Sequence, residues 1–64
     1  MRQFTSSESV RLVKELPELQ LRKGDVGVVL GKWQHPTVAY EVEFKSVQPP
    51  LRLLLLENHL AAAA

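Results

Sequence analysis

From Val38 to Phe44 the chain reads VAYEVEF, and no other segment restricts the fold so tightly. Side chains alternate across an extended backbone. Val38, Tyr40, Val42 and Phe44 therefore fall on one side, and Ala39, Glu41 and Glu43 on the other. Aromatic and β-branched residues opposite carboxylates describe a strand with one buried face. Such a strand is not stable alone, and even a two-stranded hairpin is marginal. The rest of the chain has to supply the other strands.

Leu51–Leu56 (LRLLLL) offers one, with Leu51, Leu53 and Leu55 on one face and Arg52, Leu54 and Leu56 on the other. Leu21–Leu30 (LRKGDVGVVL) offers another. Its first part, Arg22-Lys23-Gly24-Asp25, reads as a tight turn with Gly24 at positive φ and the Asp25 carboxylate bonded to nearby backbone N–H groups. Val26, Val28 and Leu30 are then expected to share the buried face. Gly27 interrupts the other face, which marks a bulge, a bend or a close backbone approach. Val10–Lys14 (VRLVK) has two readings. A strand follows from its β-branched residues and from Pro17. A short helix follows from a Ser6 or Ser7 cap and the spacing Val10, Val13, Leu16.

Between these segments lie loops. Glu15–Gln20 contains Pro17, Gly31–Thr37 contains the single Trp, and Lys45–Pro50 ends in two prolines that no central strand accepts. Glu57–Leu60 reads as a terminal turn or the start of a short helix. Residues 1–9 are polar and are expected to form a flexible N-terminal arm on which Phe4 is the only anchor. Residues 61–64 are all Ala, either a helical extension or an appended tail. The expected domain is thus 10–60, mostly β, a small barrel or a strongly bent antiparallel sheet of four to five strands, with a short C-terminal turn or helix.

GDVGVV preceded by basic residues, with AYEVEF after it and a Leu-rich strand closing on Leu60, resembles a widespread group of small bacterial proteins, the domain-of-unknown-function 4926 family. The resemblance covers the chain from about Val10 to Leu60. It implies an SH3-like β-barrel and carries no activity with it. The family tends to have a Gly-containing turn before its last strand, where this chain has Val47-Gln48-Pro49-Pro50. Over about ten residues the GDVGVV piece is also similar to the Gly-containing motif of SH3-like domains that touch RNA.

At 64 residues without cysteine, the chain cannot staple itself with disulfides or hold a metal through thiolates. A domain of this size buries only ~60% of the surface its unfolded chain exposes. Dense packing or a partner subunit has to make up the difference. The net charge of +1 gives no general attraction to nucleic acid or anionic lipid. Leu53–Leu56 is too short to cross a bilayer, and MRQFTSSES does not read as a secretory signal, so a cytoplasmic location with no membrane partner is expected.

No catalytic constellation is evident. Ser6, Ser7, Ser9 and Ser46 lie in loops or the arm, Asp25 lies in a turn, and His35 and His59 have no paired nucleophile. Glu41 and Glu43 share a face, with His35 or His59 as the candidate third ligand of a metal site, but exposed Glu is common and a solvated outer surface is the expectation there. Hence no enzyme, no cofactor and no metal are expected. With Val10, Leu12 and the inward residues of the later strands filling the core, Val13, Val29, Leu54 and Leu56 are left pointing outward. An outward apolar patch marks an interface. The expected role is therefore protein contact, as a homo-oligomer or as an accessory, antitoxin-like partner. The alternative is a nucleic-acid-binding module that uses Arg22, Lys23 and Lys32 with Trp33 as a stacking platform.

Overall fold

The computed structural model describes residues 3–63. Five strands form: β1 (Ser9–Leu12), β2 (Val26–Trp33), β3 (Ala39–Phe44), β4 (Leu51–Leu56) and β5 (Leu60–Ala62). They make one antiparallel sheet in the order β4-β3-β2-β1-β5. Of the two readings of Val10–Lys14, the strand is the one that forms.

The strand order requires a strong bend. In a flat sheet, β4 and β5 would lie four strand spacings apart, or ~19 Å at the usual ~4.8 Å. Only the 3-10 turn Glu57–His59 joins them. The step from Leu56 to Leu60 spans ~14 Å at most. The sheet therefore curls until its two edges approach each other. Among the described residues no ladder joins β4 to β5, so the sheet is bent but not closed by pairing.

Inside the bend lie Phe4, Val10, Leu12, Leu21, Val29, Tyr40, Val42, Phe44, Leu55 and Leu60. β3 follows its expected alternation, with Tyr40, Val42 and Phe44 buried. β4 does so too, with Leu55 buried and Arg52, Leu54 and Leu56 turned outward. The turn before β2 also forms. Gly24 takes φ 95°, and the Arg22 N–H donates to Asp25 Oδ2 at 2.9 Å.

β2 corrects the expected face. Gly27 and Val29 point inward, whereas Val26 and Leu30 are exposed. Register decides this: β1 places Val10, which is fully buried, opposite Gly27. Gly27 is inward because nothing larger fits. A Cβ there would lie 2.6 Å from Val42 Cγ1 and 2.9 Å from both the Glu43 carbonyl oxygen and Phe44 Cε1. Of the roles open to this glycine, close backbone approach is the one it has.

Both ends of the chain are also more engaged than expected. Phe4 is buried edge-on against the Tyr40 ring, with centroids 5.4 Å apart. The Ser7 N–H donates to the Val29 carbonyl at 2.7 Å, and Ser9 begins β1. The segment expected as a loose arm is thus docked from Phe4 onward. At the other end, Ala61 and Ala62 pair with Arg11 and Val10, so they form a strand and not the helical extension. Met1, Arg2 and Ala64 lie outside the described residues.

Candidate interaction face

The outward side of β2–β3–β4 is built by three rows of paired residues. Trp33, Ala39 and Leu56 form one row; Gly31, Glu41 and Leu54 the next; Val28, Glu43 and Arg52 the third. Cross-strand neighbours of this kind sit ~5 Å apart and form a common surface. Trp33 and Leu54 are each 57% exposed and Leu56 41%. Ala39 and Gly31 are too small to separate them. Leu30, also exposed, lies beside this group. The exposed parts of these large side chains amount to roughly 400 Å², within the range at which a patch on a monomer is often functional.

A β-bulge puts Trp33 there. The register between β2 and β3 shifts between Val29 and Gly31, leaving Leu30 as the extra residue. Val29 is inward, so strict alternation would send Gly31 and Trp33 inward as well. The extra residue reverses the parity. Gly31 then lies beside outward Glu41, and Trp33 beside Ala39.

The polar part of the face is small. Arg52 Nε donates to Glu43 Oε2 at 3.3 Å. Glu41 is half-buried, and among the described residues no cation lies within ion-pair reach of it. Trp33, Glu41, Arg52, Leu53 and Leu54 border a shallow depression of about 240 Å³. A larger open groove, about 710 Å³, lies round the end of β4, lined by Phe4, Val38, Leu56, Leu60 and Ala62 among others. Leu56 belongs to both the face and the groove.

The residues expected at an interface are therefore divided. Leu54 and Leu56 come together on one face. Val29 is a correction: at 1% exposure it belongs to the core and is unable to line a surface. Val13 is half-buried outside the β2–β3–β4 rows, and its N–H donates to the His59 carbonyl. Leu60 turns into the core.

The residues considered for nucleic acid are dispersed. Arg22 and Lys23 precede one end of β2 and Trp33 closes the other, ~23 Å away along the strand. Lys32 points to the opposite side of the strand from Trp33 and donates to Gln3 Oε1. Among the described residues no basic stripe with an aromatic platform is assembled. Two of the candidate catalytic groups have structural partners: Asp25 accepts from the turn backbone, and His59 Nδ1 accepts from the Leu56 N–H. Among the described residues, no three His, Asp or Glu side chains converge.

The family model described as a domain of unknown function, DUF4926, matches residues 7–48, about two thirds of the chain. The chain belongs to the DUF4926 family. The match spans β1, β2 and β3, so Gly27, the bulge and Trp33 lie within it. Leu54 and Leu56 lie beyond it, and the family's description assigns no activity. No curated protein and no solved structure matches the chain.

Proposed function

We propose that this DUF4926 protein is a non-enzymatic contact module that buries the outward face of β4, together with Trp33, against another protein. The observation that carries this role is the row of Leu54 and Leu56 beside Trp33, exposed on a domain with little core to spare. A standard interface covers ~800 Å² on each partner. A patch of roughly 400 Å² suits the apolar centre of one, with Glu41, Glu43 and Arg52 as its polar rim. The other surface belongs to a second copy or to an accessory, antitoxin-like partner. We place the protein in the cytoplasm, where a chain without cysteine needs no oxidising compartment. No helix among the described residues is long and apolar enough to cross a membrane.

Light scattering at high protein concentration tests the role. The wild type is expected to exceed the 7.2 kDa of one chain. Leu54→Glu combined with Leu56→Glu is expected to return it to one chain, because two carboxylates at the centre of an interface have to be desolvated without partners. Both residues are exposed, so the fold should keep its stability to within about 0.5 kcal/mol. A single-chain mass for wild type and variant alike would remove self-assembly.

A further inference from the structure

Hydrogen-bond parity identifies the backbone groups that β4 leaves unused. The Val29 N–H donates to the Glu8 carbonyl, and the Leu12 N–H to the Asp25 carbonyl. On β2, then, Asp25, Gly27 and Val29 face β1, and Val28 faces β3. In an antiparallel sheet the N–H and C=O of one residue point to the same side, and successive residues alternate. Val28 pairs with Glu43, so Glu43 and Glu41 face β2, while Tyr40, Val42 and Phe44 face β4. Their partners Leu55, Leu53 and Leu51 are thereby bonded. Arg52, Leu54 and Leu56 turn their backbone groups to the free edge. A separate observation agrees: the Leu56 N–H donates to the His59 imidazole at 3.3 Å and not to β3.

Natural sheets protect such edges with proline, lysine, bulges, short strands or a covering segment. β5, the other edge, is only three residues long. β4 has six residues, five of them Leu, with no proline or lysine, and its register with β3 is unbroken. Among the described residues nothing pairs with the outward groups of Arg52 and Leu54.

We propose that β4 pairs antiparallel with β4 of a second copy, about a two-fold axis at Leu54. This rests on the protein-contact role above and names its partner. The free groups are symmetric about Leu54, which makes the edge complementary to itself. Leu54 exchanges N–H···O=C bonds with its copy. On each flank the Arg52 N–H donates to the second copy's Leu56 carbonyl, which His59 leaves open. Side chains agree with this register. Leu54 packs beside its copy and joins the two outward patches. The Arg52 side chain, 62% exposed, comes beside the second copy's Leu56 and the neighbouring Glu57 carboxylate. Opposite charges meet across the seam, and a net charge of +1 per chain opposes association little.

Single cysteines in this cysteine-free chain test the arrangement. Residues directly opposite in a hydrogen-bonded antiparallel pair have Cα atoms ~5.5 Å apart, within disulfide range. Leu54→Cys is therefore expected to oxidise to a covalent dimer. Leu56→Cys is expected to remain single, because four residue steps, ~13 Å, separate it from its copy. Trp33→Cys, two strands from the seam, is expected to remain single as well. All three positions are exposed, so the substitutions spare the core. In the wild type, the Arg52 and Leu54 amides should exchange more slowly as concentration rises. Cross-linking as readily at 33 and 56 as at 54 would show that the faces pack, overturning the edge pairing while keeping the contact role. No cross-link at any position, with a single-chain mass, would overturn the edge pairing and self-assembly together, leaving the contact role to a separate partner.

Discussion

Gly27→Ala is expected to destabilise the domain by about 3 kcal/mol, while the same substitution at Gly31 leaves stability unchanged or raises it by about 0.5 kcal/mol. Both glycines lie in β2, so strand propensity does not distinguish them. Space does. At Gly27 a methyl group meets Val42 Cγ1, the Glu43 carbonyl oxygen and Phe44 Cε1, all under 3.0 Å. Val42 and Phe44 are themselves fully buried, so their side chains have nowhere to retreat. The Glu43 oxygen is backbone, and moving it strains the β2–β3 ladder. At Gly31 the added methyl group meets nothing within 4 Å. Gly24→Ala is expected to fall between them, at about 1 kcal/mol, because its φ of 95° disfavours any side chain even in open space. Urea unfolding of the three variants at constant m-value measures the order. A Gly27→Ala midpoint equal to that of wild type would mean that β2 and β3 do not approach as closely as described.

That contrast also shows how far the fold was legible in the sequence. β3 was legible because its alternation has aromatic residues on one side and carboxylates on the other, leaving a single way to bury it. The Arg22–Asp25 turn was legible because glycine next to aspartate satisfies both a positive φ and the turn's N–H groups. β2 was not, because Val26, Val28, Leu30 and Gly27, Val29 have the same period. A larger side chain was expected to be the inward one, but Phe44 and Val42 fill the space over Gly27 from the neighbouring strand. A one-residue change of parity exchanges every side chain between faces. That parity is set by pairing with β1, which no local pattern records. Leu21 and Leu60 were missed as core, and Phe4 was expected only as an anchor on the arm, for a related reason: they lie outside or at the ends of strands, where periodicity carries no information.

The candidate face divides in the same way. Leu54 and Leu56 follow from alternation within β4 alone. Trp33 joins them through β3 and through the bulge at Leu30, both consequences of pairing between distant segments. Glycine after Leu30 was the one local hint of irregularity, and it fell in a region expected to be a turn. Val29 was assigned outward by the same parity error that misplaced Val26, so the face and the core were misread together.

The segment before β1 offers the second large effect. Phe4→Ala is expected to cost about 3–5 kcal/mol, the usual range for removing a buried phenylalanine side chain. A domain of this size has a total stability of roughly 3–10 kcal/mol. The variant should therefore be near its unfolding midpoint at room temperature or already beyond it. Phe4 is 3% exposed and packs edge-on against Tyr40, an arrangement worth about 0.5–1.5 kcal/mol beyond its buried area. Its N–H donates to the Tyr40 hydroxyl at 3.2 Å, so the same tyrosine holds both backbone and ring. Tyr40→Phe separates these contributions. It keeps the ring and removes the acceptor, for an expected loss of about 1 kcal/mol. The two variants should also differ locally: Phe4→Ala frees residues up to Ser7, whose N–H is bonded to the Val29 carbonyl, and their amides should exchange faster before the sheet unfolds. An arm that merely rests on the surface would behave otherwise. Phe4→Ala would then move the midpoint by less than about 0.5 kcal/mol, as surface substitutions do. The size of that single loss decides whether the domain begins at β1 or at Phe4.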